Sequence, residues 1–297
     1  MDYLEPPEDT FARYSKRFVA KGYGAKVLYC AANSRQKFDG PSWVPNWDDK
    51  EFPQTRLASV AESSHYSASD ISSPTMNILP GSSHLQISGI IVDKLEQLSN
   101  ISPADDHRTC RNDIYTAWKE LQSLLKPENP YNGQCLHEVI WRTMICDKMG
   151  ESLYENASEI ARSLLAWDHK KMSYETQSWY SVYGDPKRTA SYFPASEEIK
   201  RMHEEGFMQT AVQYAGTSLN MMHWKSFAAS SAGYLASVPV SSLAGDLVCV
   251  VMGAAVPFVL RPTHAGYQLI GECYVHGLMN GEALKMAGLE VETLTLV

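Results

Sequence analysis

The stretch GDLVCVVMGAAVPFVLRPTHAGYQLIGECYVHG, residues 245–277, contains three apolar runs, GDLVCVVMG, VPFVLRP and YQLIGECYVHG, parted by short turns that contain Gly or Ala. β-Branched runs of this length broken by such turns are the pattern of an antiparallel meander. Side chains alternate across a strand. In the third run Tyr267, Leu269, Cys273 and Val275 are therefore expected on one face, with Gln268, Glu272, Tyr274 and His276 on the other. This alternation parts Cys273 from His276 and argues against a nucleophile–base pair. The line Glu272, Tyr274, His276 keeps two readings. It is either the solvated side of a half-buried sheet or a hydrogen-bonded polar layer under helices, or else a pocket wall. In a pocket wall His276 would transfer protons near neutral pH while Glu272 or Tyr274 orients it or polarises a substrate.

Upstream of residue 226 the period is helical. Residues 8–23 place Phe11, Tyr14, Phe18 and Val19 at helical spacing, and 26–33 read as a second short helix. Ile114, Trp118, Leu121 and Leu125 repeat in the same way, as do Leu136, Ile140 and Met144; residues 157–167 and 195–215 give two further helical patterns. HLQISGIIVDKLEQLS, 84–99, interrupted at Gly89, reads as a strand or a bent strand pair. PSWVPNW, 41–47, cannot be a regular helix with two prolines and reads as an ordered loop anchored by burying Trp43 and Trp47. Residues 48–83, rich in Ser, Pro and Asp, read as a long irregular and flexible connection. The aromatic stretch 179–194, with Trp179 and Tyr183, reads as a loop over a pocket. The fold class expected is α+β in one composite domain, 1–297. A mainly helical part, 1–225, with a strand near 84–93, would pack on a β-rich part, 226–297, built as an antiparallel β-meander or small barrel.

With 44% hydrophobic and 20% charged residues the chain fits a folded globular protein, and it has no apolar run of the 18–20 residues that a membrane-spanning helix needs. The N-terminus MDYLEPPEDTFARYSKRF is acidic and lacks an apolar core, so a cytoplasmic protein is expected. A net charge of −8, read as spread out without a basic patch, argues against nucleic acid and against an anionic membrane surface. The six cysteines show no CxxC pair and no zinc spacing, and are expected to be reduced core residues. Phosphate-loop, nucleophile-elbow, HExxH and deaminase signatures are absent, so no cofactor and no metal are expected. Asp105 and Asp106 read as helix-capping acids, Asp246 as a turn residue, Arg261 as an ion-pair partner, and Arg142 as a holder of Asp147 or of a neighbouring carbonyl.

PSWVPNW, then WRTMICD (141–147), then the motif running from Gly245 and Asp246 through Leu260, Arg261 and Pro262 to GECYVHG (271–277) and MNGEA (279–283), occur in that order. Together they resemble the region downstream of the HET domain in fungal heterokaryon incompatibility (HET) proteins, over residues 40–285. The resemblance implies that GECYVHG is a scaffold element. It also implies that the HET domain, associated with triggering cell death when unlike fungal cells fuse, is missing, since residues 1–40 are too short to hold it. Where relatives carry Gly-Arg-Arg before the strand leading to GY[IL]G, this chain has Met222, His223, Trp224 and Lys225, then GYLAS at 233–237.

Two functions follow as expectations. The first is a cofactor-independent small-molecule enzyme (a cyclase, isomerase or lyase) of fungal secondary metabolism, acting on a small apolar, polyketide- or terpenoid-like molecule. The substituted segment would then supply His223 as proton donor or acceptor, with His276, Glu272 and Tyr234 as further polar groups and Tyr274, Trp224, Trp179 and Tyr183 lining the substrate site. The second is a non-catalytic recognition or regulatory module in heterokaryon incompatibility. A homo-oligomer is compatible with both.

Overall fold

The computed structural model describes residues 6–32, 40–48, 57–58, 65–70, 72, 75–100, 114–148, 214, 217–218 and 220–297. Helices α1 (Pro7–Ala20) and α2 (Gly24–Ala32) come first, followed by strands β1 (Met76–Ile78) and β2 (Leu85–Leu98) and helices α3 (Ile114–Leu124) and α4 (Leu136–Ile145). Strands β3 (Lys225–Ser230), β4 (Leu235–Pro239), β5 (Leu247–Val251), β6 (Phe258–Thr263), β7 (Gly266–Glu272), β8 (Tyr274–Val275) and β9 (Glu292–Leu296) complete the described part. The class is α+β, as the change of period indicates. The helical patterns at 157–167 and 195–215 and the aromatic stretch 179–194 lie outside the described residues, Tyr214 excepted.

The three C-terminal runs pair as the antiparallel meander β5-β6-β7. They do not stop there. β5 also pairs with β2, β2 with β3, β3 with β4, and β4 with β8, which continues β7 after the single residue Cys273. The ring β2-β5-β6-β7/β8-β4-β3 therefore closes into a barrel. β9 runs beside the first half of β2, and β1 pairs with the same half of β2.

One apolar cluster draws a residue from every strand of this ring, among them Ile90, Ala228, Val238, Val250, Val259 and Val275, and it is the barrel interior. These buried side chains occupy the interior, one of the two ways in which a small barrel is filled. The alternate residues point outward. Cys249, Val251, Phe258, Leu260 and Tyr274 join Val27, Leu28 and Tyr29 of α2 and Trp43 in a second core between barrel and helices. Cys249 and Cys273 are buried and unpaired, and burial pushes their thiols up, Cys273 to about 12.

The sequence at 84–99 forms one long strand, bent by register irregularities between Ile91 and Asp93 and between Leu95 and Gln97. Gly89 pairs with Val251 on one edge and Glu292 on the other. A Cβ there would lie 3.0 Å from the Cys249 thiol and 3.2 Å from the Val250 carbonyl oxygen, so glycine is what lets three strands meet.

Several expectations of burial are corrected. α1 starts with Pro7 in its first turn, where a missing N–H costs nothing, and with Glu8 and Asp9 against the helix dipole. It buries Ser15 and Val19, with Phe11 half-buried in the same row, while Tyr14 and Phe18, on the adjacent row, are exposed. In α4 Val139, Ile140 and Met144 are buried but Leu136 is exposed. The connection 48–83 is not loose where described: Leu57, Ala58, Tyr66, Ala68 and Ser69 are buried. Its backbone is tied to the barrel rim by Ser67 N–H to the Met279 carbonyl and Ala68 N–H to the Ala255 carbonyl, both at 2.9 Å.

The two indoles of PSWVPNW part company. Trp43 is fully buried, with its Nε1–H donated to the Ser83 carbonyl at 2.9 Å. Trp47 is 38% exposed and leans on Phe18. Trp43→Ala is accordingly expected to destabilise the protein by about 3–5 kcal/mol, and Trp47→Ala by less than about 1 kcal/mol, in denaturant unfolding of the purified variants. Equal losses for the two would refute this assignment.

Candidate functional site

The site begins with a one-residue irregularity. Phe258 pairs with Glu272 and Leu260 with Leu269, so three residues of β7 span what two of β6 span. Such a bulge inverts the alternation beyond it. Leu269 consequently shares the outer core with Tyr274, and Glu272 faces the same way, while Cys273 and Val275 point into the barrel. The expected grouping of Leu269 with Cys273 and Val275 is overturned for this reason. The line Glu272, Tyr274, His276 itself stands, and all three residues are buried beneath helix α4 and the loops rather than solvated.

A buried carboxylate needs donors. Glu272 takes the backbone N–H of Leu57 at 2.7 Å and of Ala58 at 3.3 Å, and its own carbonyl accepts from Lys225 Nζ at 2.8 Å. Lys148 donates to the Leu57 carbonyl at 3.0 Å and lies 5.3 Å from the centre of the Tyr66 ring. Burial lowers its pKa, against the attraction of Glu272. Tyr66 in turn donates its hydroxyl to the Cys146 carbonyl. Cys146 and Asp147 end α4 with φ of 49° and 56°, a left-handed turn made without glycine. It is braced by Arg142, which donates to Asp147 and to Glu138 at 2.8 Å each. Burial raises the Cys146 thiol to about 11, which leaves it protonated at neutral pH.

The other end of the line is a relay of hydrogen bonds. Gln134 presents its amide oxygen 3.1 Å from His276 Nε2, so the neutral ring carries its proton there and accepts the Tyr274 hydroxyl at Nδ1, 2.9 Å away. Tyr131 closes the group. Its phenol accepts the Leu235 N–H at 2.6 Å and donates to the His276 carbonyl at 3.5 Å, and its ring sits edge-on to both His276 and Tyr234. Burial lowers His276 to about 4, opposed by Asp147 and Glu138 and assisted by Arg142. Burial likewise raises the Tyr274 phenol far above its ordinary value.

The remaining candidates are distributed unevenly. Tyr234 is half-buried beside Tyr131, its hydroxyl 3.9 Å from the Met286 sulfur, and so belongs to the His276 group. His223 and Trp224 stack edge-to-face at 5.6 Å, with Trp224 at φ 60°. They stand at the opposite end of the β3–β4 hairpin from Tyr234, about 20 Å away at the rise of an extended strand. The expected convergence of His223 with Tyr234 and His276 is therefore not formed. Trp179 and Tyr183 lie outside the described residues. Tyr66, Tyr131, Gln134 and Lys148 belong to the network although nothing local in the sequence marks them. Elsewhere, Asp246 and Arg261 pair with each other at 2.8 and 2.9 Å, and Asp246 also takes the Leu243 N–H, closing the turn before β5. Among the described residues no group of three His, Cys, Asp or Glu side chains could hold a metal ion, and no helix is long and apolar enough to cross a membrane.

A histidine whose folded pKa is depressed binds its proton more readily when unfolded, so the contribution of His276 to stability is fully present above pH 6.5 and is lost as pH drops from there to about 4. The total is about 3 kcal/mol for this shift. His276→Gln is expected to lack this component of the stability–pH curve, measured as the difference between wild type and variant in denaturant midpoints between pH 7 and pH 4. Parallel curves would remove His276 as its source.

Two comparisons bear on what such a barrel belongs to. The family model described as the Het-6 beta-barrel domain matches residues 82–291. Heterokaryon incompatibility protein 6, OR allele, of Neurospora crassa is 25% identical over 289 residues, covering 86% of this chain and 40% of the relative. The chain thus spans less than half the length of the curated relative it matches. No solved structure matches. Neither match names an activity in secondary metabolism. With more than half of the chain inside the family model and a closed barrel built over the same residues, the chain belongs to the Het-6 β-barrel domain family.

Proposed function

We propose that the protein is a non-catalytic recognition or regulatory module acting in fungal heterokaryon incompatibility. The observation that carries this reading is the use to which the polar line is put: Glu272 holds the backbone of residues 57 and 58, and Tyr274, His276 and Gln134 satisfy one another. These are the bonds of a scaffold. The side-chain-filled barrel and the incompatibility protein among its relatives support the same reading. The enzyme reading gives proton transfer to His223 with Tyr234 and His276 as secondary contacts, and the length of the β3–β4 hairpin lies between His223 and those two.

The test is expression of the full chain in paired fungal strains that carry different alleles of the related incompatibility protein. Viable transformants are expected several-fold fewer in one strain of the pair than in the other. Equal yields in both strains, together with a precursor that accumulates when the gene is deleted, would overturn the recognition reading in favour of a small-molecule enzyme.

A further inference from the structure

The cations of the first two helices are concentrated in a way that the overall charge conceals. Residues 10–32 contain Arg13, Lys16, Arg17, Lys21 and Lys26 and no Asp or Glu, although Glu8 and Asp9 precede them in the first turn of α1 and Asp48 follows Trp47. Removing these five charges from the net −8 leaves −13 on the rest of the chain. The expectation of charge spread without a basic patch is thereby corrected. Lys16 is tied down, donating to the Ser82 carbonyl at 3.0 Å. Arg13, Arg17, Lys21 and Lys26 are exposed.

The same face carries aromatic rings that the fold leaves outside. Tyr14 is 36% exposed, Phe18 41%, Tyr23 48% and Trp47 38%. They are neighbours: Tyr14 and Phe18 are one helical turn apart, the Tyr23 N–H is bonded to the Phe18 carbonyl, and the Phe18 and Trp47 rings are 6.1 Å apart. The cations are interleaved with them. Arg13 and Arg17 lie 5.6 and 5.7 Å from the centre of the Tyr14 ring, and Lys26 lies 5.8 Å from that of Tyr23. Scattered exposed apolar residues need no explanation, but contiguous ones ringed by charge mark a contact surface. Trp, Tyr and Arg are also the residue types that dominate binding energy at protein interfaces.

We propose that this α1–α2 face, with Tyr14, Phe18, Tyr23 and Trp47 at its centre and Arg13 and Arg17 on its rim, docks an acidic segment of a partner protein that carries aromatic or leucine anchors. The proposal rests on the recognition reading above and supplies its partner's chemistry. Charge decides the occupant. A second copy related by a two-fold axis would set one basic rim against another. A long nucleic acid or an anionic membrane would extend beyond the basic rim onto surface that shares in the −13 carried by the rest of the chain. A short acidic segment meets the cations locally and places its apolar side chains among the four rings, as in helix-in-groove and acidic-motif recognition.

The probe is a fluorescent synthetic peptide of Glu and Asp with Leu and Trp at every third or fourth position, titrated with the full chain. Binding is expected, weakening as salt is raised and becoming about tenfold weaker in Phe18→Asp and in Arg17→Glu. Leu243→Asp, at an exposed apolar residue on the turn before β5, is expected to bind like wild type. Circular dichroism establishes that the variants are folded. Each of these results would overturn the proposal: no binding, equal weakening by Leu243→Asp, preference for phosphatidylserine vesicles or a single-stranded oligonucleotide, or a concentration-dependent dimer abolished by Phe18→Asp in sedimentation. The paired-strain assay keeps the two claims distinct. A strain difference retained by Phe18→Asp and Arg17→Glu removes this surface and leaves the recognition reading standing, whereas no strain difference with wild type removes that reading.

Discussion

Strand β2 has to be hydrogen-bonded on both edges while changing partners along its length. One edge meets β1 and then β5, and the other meets β9 and then β3. No flat strand can do this, because each pair of partners belongs to a different part of a closing surface. The two register irregularities supply the bend, and Gly89 supplies the space where β5 and β9 approach together. With β2 in place every strand of the ring finds two neighbours, and the barrel has no open edge within the ring. The helices then have a convex apolar surface to cover, which is the second core.

Covering a barrel with helices and irregular loops leaves polar groups in awkward places, and the buried line on β7 and β8 answers this. Glu272 accepts the N–H groups of residues 57 and 58, and Lys148 donates to the carbonyl of residue 57. Tyr131 stands in for backbone where the β4–β8 ladder runs out. Buried polar groups satisfied in this way specify one arrangement of loops over the barrel, since each would cost free energy if left unpaired.

Much of the β-rich part was legible because its signal is local: the alternation in β5 and β6 and the turns between runs lie within a few residues of one another. The inversion at Leu269 to Gly271 was not, since a bulge depends on the register of a neighbouring strand and leaves no mark on its own composition. Trp43 and Trp47 occupy one motif and were read alike, yet one reaches the core and the other the surface, a difference set by where α1 lies. The partners of Glu272 are 214 and 215 residues away and the Nε2 partner of His276 is 142 away, beyond the reach of any spacing rule, whereas its Nδ1 partner Tyr274 is two residues off on the same face. The family motifs were readable as scaffold. The basic and aromatic face was hidden by a negative total charge and by the assumption that helical aromatic residues point inward.

A barrel interior lined by Ala, Val, Ile and Leu also governs which substitutions the fold accepts. Exchange inside it is confined to methyl-sized trades that keep the summed volume, because interiors packed like crystals accept little else. Larger changes of side chain are left to the outer helices and loops. Variants that differ at many surface positions are then expected to share one superimposable frame, because the interior that fixes it is unchanged.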